Sequence, residues 1–521
     1  MKRFACCLAL LALGVLAQEY TTIPLKKLTL SKYAKVENNV LTVSIPKTPA
    51  ITNETRGATY DIKPELLAGK CIEFSAEMRY KDIGSDNSDS SVGAKYLARV
   101  KTNGAFGYQS CPALKGTQTK WITVATYFSC AKGMEEFRLM LGIQQGWGTV
   151  EFRNLRWRTV NQSYVDYTLP ENYRCEYSPE IASRPVLRGV MSPPPLKITE
   201  KDIRDFASWG GNLFRIQLVG CGSTDRKFYN EWMDKCLDRI DALVPVFAEC
   251  KVWYIIDVHS PPGLRYSHAA TPGTPAETAT PDIGNERAFR MMNIDEYYET
   301  FQETWRKIAR RFKGRPYLYG YDLMNEPIQN APIKHSYLQL QYETALIIRK
   351  IDPETPILVE SNQGTAPATF SYLVPIPVKN VIYQVHMYLP HTFTHQGVSN
   401  KEKYRNEYPA SAIPYPNPEK KWDFHFLRNS LQPVVNFQKQ YGARILVGEF
   451  SATTWAPGAD KYLDDVITIF EEYGWDWTYH AFREWEGWSV EHEGPPHNPP
   501  LAKQDTPRKK VLLKWFGHST K

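Results

Sequence analysis

Three carboxylates end apolar runs in the second half of the chain: Glu326 after Tyr321-Asp322-Leu323-Met324-Asn325, Glu360 after Ile357-Leu358-Val359, and Glu449 after Val447-Gly448. Arg215, His259, the pair His386 and Tyr388, and His480 end or interrupt other runs of the same kind. Charge beside a core is costly unless it is paired, so this many ionisable groups at the ends of apolar runs points to a site. Two carboxyls facing each other across a pocket suit glycoside hydrolysis. One enters protonated and gives its proton to the leaving oxygen, while the other attacks the anomeric carbon or activates water. That chemistry needs no metal, and no Cys or His spacing here matches a zinc site, so neither a metal nor a cofactor is expected. Each residue alone has a duller reading. Glu326 before Pro327 suits a helix start favoured by the helix dipole, Glu449 a rim charge, and His259 a hydrogen-bonded core histidine. Their joint placement argues for chemistry.

The elements that must carry them are eight apolar runs, at 186–191, 212–219, 252–259, 317–325, 357–360, 381–388, 445–449 and 476–482. Amphipathic helices alternate with these runs. Thr199 caps one whose inner face is Ile203, Phe206 and Ala207 and which Gly210 ends. A second helix runs from Tyr229 into the 240s. In a third, Ile294, Tyr298, Phe301, Trp305, Ile308 and Phe312 recur at helical spacing until Gly314 and Pro316. Eight strand–helix repeats over residues 181–521 suit an α/β fold, a closed (β/α)8 TIM barrel, better than an open sheet, and bring the strand ends to one mouth. The long segments 261–293 and 389–422 exceed ordinary connections and are expected over that mouth.

Residues 18–160 read differently, as short runs rich in Val, Ile, Thr, Tyr and Phe at 40–45, 71–80, 96–100, 121–127, 137–143 and 149–160. No long helical period interrupts them, which predicts an all-β jelly-roll or β-sandwich domain. Residues 84–91 are a polar, serine-rich loop, and 161–180, with Pro170 and Pro179 and no period, are expected to link the two domains. The first 17 residues carry Lys2 and Arg3, an apolar stretch over 4–16 and a small residue, Ala17, before Gln18. This is the pattern of a secretory signal peptide. The apolar stretch is too short for a membrane helix of about 20 residues, so a secreted, extracellular or periplasmic monomer without a membrane span is expected.

At 521 residues, 42% of them hydrophobic, the chain is long enough for more than one folded unit. The formal charge of +7 falls to +5 without Lys2 and Arg3, and basic and acidic residues are mixed. Arg508-Lys509-Lys510 is the one compact basic run, which argues against a nucleic-acid partner. Of nine cysteines, Cys6 and Cys7 lie in the leader, and the remaining seven are an odd number, so at least one stays unpaired in a monomer. Cys236 and Cys250 share a helix and are separated by about 21 Å along it, beyond the roughly 7 Å a disulfide allows.

The strings Tyr321 to Pro327, His386-Met387-Tyr388, Val447-Gly448-Glu449-Phe450, Phe214-Arg215 and Ile256-Asp257-Val258-His259 together resemble the signature of family 5 glycoside hydrolases, the cellulase family of clan A, over about residues 185–490. The resemblance implies a retaining double displacement with Glu326 as acid/base and Glu449 as nucleophile. Arg215 and Tyr388 would favour the ionised form of Glu449. Asn325 would hydrogen-bond the sugar 2-hydroxyl, and His259 and His386 would line the subsite where the bond breaks. The implied substrate is a β-linked polysaccharide or oligosaccharide, first an endo-β-1,4-glucanase substrate. The alternatives are a β-mannanase, an exo-acting β-glucosidase or a non-catalytic polysaccharide-binding protein. The last is expected to lack a carboxylate, and both are present. A metal-dependent amidohydrolase wants His-x-His on the first strand, where this chain has Leu187-Arg188-Gly189-Val190.

One position departs from the family. His480 stands where family members usually place a tryptophan that floors the sugar, so Trp485 or Trp488 is expected to stack instead. Glu484, Glu486 and Glu491 in the same loop are expected to be solvated, and Glu360 to support the site by hydrogen bonding. The N-terminal domain is similar to jelly-roll carbohydrate-binding modules in the Trp121 stretch and in Gly148-Thr149-Val150-Glu151-Phe152. Tyr108 and Trp147 either stack on sugars there or fill the core.

Overall fold

Strand alternation builds the first of two compact units, Met1–Asn161 and Gln162–Lys521. The computed structural model describes residues 19–47, 55–86, 92–102, 105–130, 133–160, 165–221, 223–264, 289–398, 406–410, 421–496 and 498–519. The expected leader, residues 87–91 of the serine-rich loop, residues 161–164 of the expected linker, and 265–288, 399–405 and 411–420 of the long segments lie outside the described residues.

The strands of the first unit are β1 (Thr21–Thr22), β2 (Thr29–Leu30), β3 (Ala34–Glu37), β4 (Val40–Ile45), β5 (Thr55–Ile62), β6 (Cys71–Gly84), β7 (Gly93–Thr102), β8 (Ala105–Ser110), β9 (Gly116–Ser129), β10 (Met134–Gln144) and β11 (Trp147–Val160). They form two antiparallel sheets, one ordered β3-β4-β11-β6-β9 with β1 on β11, the other β2-β5-β10-β7-β8. In β6, Ile72, Phe74, Ala76 and Met78 are buried, while Glu77, Arg79 and Lys81 on the alternate face are more open to solvent. The two sheets meet ring to ring, with Phe74 4.6 Å from Tyr96 and Phe128 5.9 Å from Phe137. The buried Tyr96 hydroxyl donates to the Val124 carbonyl at 3.1 Å, which satisfies it. Trp121 lies beneath the guanidinium groups of Arg79 and Arg153, at 4.7 and 4.2 Å, and Trp147 beneath the Lys47 ammonium at 4.5 Å. Tyr108, on the edge strand β8, is exposed.

In the second unit β12 (Arg188–Met191), β13 (Leu213–Gln217), β14 (Trp253–Asp257), β15 (Leu318–Asp322), β16 (Ile357–Glu360), β17 (Val381–Met387), β18 (Arg444–Phe450) and β19 (Asp476–Tyr479) close into a parallel barrel in chain order. Its interior is layered by the two-residue period. Leu187, Leu213, Ile255, Tyr319, Leu358, Ile382 and Leu446 form an apolar plug. Two residues further along four of these strands stand Arg215, Asp257, Glu360 and Gln384, which begin a polar layer towards the mouth. The larger core lies outside the strands, against helices such as Glu200–Ser208 and Asp295–Phe312. The first of these opens on a capping box, in which the Thr199 hydroxyl accepts from the Asp202 N–H and the Asp202 carboxylate accepts from the Thr199 N–H.

The described part of 161–180 is held on the barrel: the Tyr177 hydroxyl donates to the Val381 carbonyl at 2.8 Å and the Cys175 N–H to the Tyr441 carbonyl at 2.8 Å. All seven cysteines from Cys71 to Cys250 are free thiols. Among the described residues no helix is long and apolar enough to cross a membrane.

Candidate active site

Arg215 is the hub of the polar layer. It is fully buried on β13, and its five N–H donors need acceptors there. Nε donates to Asp322 at 2.8 Å, Nη1 to Glu449 at 2.9 Å, and Nη2 to Glu360 at 3.0 Å and to the Asn325 amide oxygen at 3.1 Å; Asp257 lies 3.1 Å away. Gln384 bridges the same carboxylates, with Nε2 at 3.0 Å from Asp322 and 2.7 Å from Glu360. Burial raises the carboxyl pKa values of Asp322 and Glu360, against the pull of Arg215 on both and of His386 on Glu360. A side chain at position 448 would collide with this bridge, because a Cβ there would lie 1.6 Å from the Gln384 amide oxygen. Glycine is what lets Gln384 reach across.

Because a guanidinium only donates, its bond to Asn325 fixes which way that amide points. The amide nitrogen is turned to His259 Nε2 at 3.2 Å, and His259 Nδ1 faces Asp257 at 2.8 Å. His259, Asn325 and Arg215 therefore hold one another in register at the ends of three strands.

Glu326 and Glu449 sit in different surroundings. The Glu449 side chain is 5% exposed and that of Glu326 28%. Glu449 takes Arg215 on one oxygen and the Tyr388 hydroxyl, at 2.8 Å, on the other. Burial works against its charge, but His386, His480 and Arg215 outweigh it and hold the carboxyl well below the usual carboxylate range. His386 Nδ1 lies 3.0 Å from Glu326 and 3.8 Å from Glu449, between the two. Burial pulls the imidazole pKa down, yet Glu449, Glu360 and Glu326 push it up to about 9. Glu326 adopts a left-handed backbone (φ +48°), unusual for a residue with a side chain. Its N–H donates to Glu360 at 2.6 Å, and the Thr365 hydroxyl supports the same oxygen at 2.5 Å. Glu360 thus fixes the backbone that presents Glu326.

His480 follows β19 and reaches the same place. Nδ1 is 2.6 Å from the Tyr388 hydroxyl and Nε2 is 2.9 Å from Glu484. This corrects the expectation that Glu484 and Glu491 are solvated. Glu484 is bonded to His480 and its carboxyl pKa is lowered, burial being outweighed by His480, while Glu491 pairs with Arg483 at 2.8 Å. Both partners, His480 and Arg483, come from the same loop as the two carboxylates. Trp488 is buried, its ring 5.7 Å from His480 and 6.3 Å from Tyr388. Trp485 packs edge-on to Trp488 at 5.6 Å and lines a cavity of about 400 Å³ with Glu484, Glu486, Ser489 and Leu501. Of the two tryptophans, Trp485 faces open space and Trp488 backs the catalytic-type cluster.

Among the described residues, one trio, Glu326, His386 and Glu449, brings ligand-type atoms within 4.8 Å of one another. Its electrostatics disfavour a metal, because a guanidinium already lies 2.9 Å from Glu449. The arrangement instead suits proton transfer beside an ionised carboxylate.

Residues 182–485 match the model of the cellulase family, glycosyl hydrolase family 5. The chain belongs to glycosyl hydrolase family 5. Endoglucanase C of Acetivibrio thermocellus is 24% identical over 306 residues, covering 54% of this chain and 84% of that protein. Cellodextrinase A of Ruminococcus flavefaciens is 24% identical over 285 residues, covering 53% and 76%. A solved structure of Thermotoga maritima Cel5A with cellobiose covers 65% of this chain and all of that one, at 20% identity and a TM-score of 0.46. As a family 5 member this protein is a glycoside hydrolase.

Sequence reasoning did not find Asp257, Asp322, Gln384 and Glu484 as site residues. A signal for two of them existed. Asp257 and Gln384 stand two positions before His259 and His386, so strand alternation points them into the barrel as well. Asp322 escapes the rule because the β14–β15 register shifts nearby.

Proposed function

We propose that this family 5 member is a secreted endo-β-1,4-glucanase that cleaves β-linked polysaccharide with retention of configuration, with Glu449 as nucleophile and Glu326 as acid/base. The observation that carries this reading is the asymmetry of the two carboxyls across His386. One is buried and stabilised as an anion by Arg215 and Tyr388, the other is more open and placed by Glu360. Oxygens of the pair lie within 4.8 Å, which supports direct attack, because an inverting pair leaves room for water at about 6.5–9.5 Å. In this reading Glu326 protonates the glycosidic oxygen as Glu449 forms the glycosyl-enzyme bond, and then draws a proton from water to release the sugar. Asn325, oriented by Arg215, offers its amide to the sugar beside Glu449, while His259 and His386 border the same subsite. Secretion rests on the charged and apolar pattern of residues 1–17.

The similarity to proteins named endoglucanase and cellodextrinase favours β-1,4-glucan over mannan. Reducing-sugar release on soluble β-glucans, xyloglucan and mannans tests the reading. Release on a β-1,4-glucan, abolished in Glu449→Gln, is expected; release on mannan alone would overturn the substrate, and an active Glu449→Gln the nucleophile.

A further inference from the structure

Between Glu484 and Glu449 runs an unbroken line of hydrogen bonds: Glu484 to His480 Nε2 at 2.9 Å, His480 Nδ1 to the Tyr388 hydroxyl at 2.6 Å, and that hydroxyl to Glu449 at 2.8 Å. Three bonds need three protons. Carboxylates at both ends can only accept, so the tyrosine hydrogen goes to Glu449, the tyrosine oxygen accepts from Nδ1–H, and Glu484 accepts from Nε2–H. The line is complete only when His480 carries both ring protons. A tryptophan, the usual family residue at this position, could not complete it, since an indole has one N–H where the line needs two donors.

We propose, resting on the reading of Glu449 as nucleophile, that His480 clamped by Glu484 is a positioning residue that fixes the direction of the Tyr388–Glu449 hydrogen bond. With His480 doubly protonated, Tyr388 has no alternative acceptor and must donate to Glu449. When Nδ1 loses its proton it becomes an acceptor, the tyrosine hydrogen turns to it, and Glu449 loses a donor together with the positive charge 3.9 Å away. The charged and titratable groups facing His480 are Glu484 on its own loop, Glu449 on β18, Tyr388 after β17 and Glu326 after β15; His259 faces Glu484 from the other side. Burial in the Trp488 wall lowers the imidazole pKa, but these anions raise it above the ordinary histidine value. The effect falls on the second half of a double displacement, when the Glu449 carboxylate must depart from the sugar and regain its charge. A hydrogen bond and a cation beside it stabilise that departure.

Glu484→Gln, nearly isosteric and removed from the reacting atoms, separates this from a structural role. With His480 doubly protonated only below a lowered pKa, the alkaline limb of kcat is expected to move to lower pH by about one unit, the usual scale for removing an opposite charge, with KM unchanged or lower. His480→Gln is expected to lower kcat about tenfold or more at neutral pH and to lower KM with it, because the glycosyl-enzyme accumulates. A readout independent of turnover is the titration of the His480 imidazole by NMR on the full-length protein labelled at histidine, its resonance assigned by its absence in His480→Gln. It is expected above the ordinary value of about 6.5 in the wild type and lower in Glu484→Gln. An ordinary His480 titration, or a Glu484→Gln pH profile that superimposes on the wild type, overturns the proposal. Failure of the wild type to hydrolyse any β-glycan overturns the reading of Glu449 instead and leaves the NMR result to decide the clamp.

Discussion

At the scale of single residues, the site separates two chemically identical side chains by what surrounds them. Glu449→Gln removes the anion that Arg215 and Tyr388 were arranged to hold, and is expected to cost about a thousandfold or more in kcat, on the scale of losing a nucleophile. Glu326→Gln is expected to cost about 100- to 10,000-fold, the range of general acid–base catalysis, on a β-glucan. On an aryl glycoside whose leaving group needs no proton the first step is expected to be nearly unaffected, and assays on the two substrates side by side check this. Because its neighbours hold Glu449 well below the usual carboxylate range, the acid limb of kcat/KM that reports its ionisation lies below pH 4.5. The sign is fixed by the cause: removing a positive neighbour moves the limb up. That Glu326, Glu360 and Glu449 end strands of one barrel was legible from residue type and position, while the choice of Glu326 and Glu449 as the pair came from the family resemblance. The role of Glu484 was not, because a loop glutamate among other glutamates carries no sign of which cation it meets.

At the scale of elements, the barrel uses the alternation of its strands twice. Residues such as Leu213, Ile255 and Ile382 close the bottom, and the next inward positions on those strands, Arg215, Asp257 and Gln384, are polar. All eight barrel strands and the capped helix at Glu200–Ser208 were legible, because apolar runs and a Thr-x-x-Asp start are local signals. In the first unit β1, β2, β3, β5 and β8 were not. Several are short edge strands whose residues are exposed on both faces, and pairing defines them where pattern does not. Gly448 belongs to this scale too, since it was read as part of a motif and its spatial reason is the Gln384 bridge. Gly448→Ala is expected to destabilise the barrel by about 1–3 kcal/mol, the usual cost of overpacking, and to lower kcat together with the melting temperature, measured by calorimetry and assay on the same sample.

At the scale of the whole molecule, the charges that matter are inside. Within the compact basic run at 508–510, Arg508 is buried and donates to the carbonyls of Trp488, Ser489 and His492, tying the final helix (Pro507–Phe516) to the loop after β19. Global stability should carry the mark of the buried cluster. His386 titrates near 9 in the fold against about 6.5 when unfolded. Its contribution is therefore fully present below about pH 6.5 and lost as pH rises through 9. The melting temperature of the wild type is expected to exceed that of His386→Gln by a margin that shrinks across this window. The central claim, a double displacement at Glu449, is tested most directly by following hydrolysis of a soluble β-1,4-glucan oligosaccharide by proton NMR from the first turnover. The β-anomer is expected to appear first and to be absent with Glu449→Gln; the α-anomer appearing first, or an unchanged rate in the variant, would contradict it.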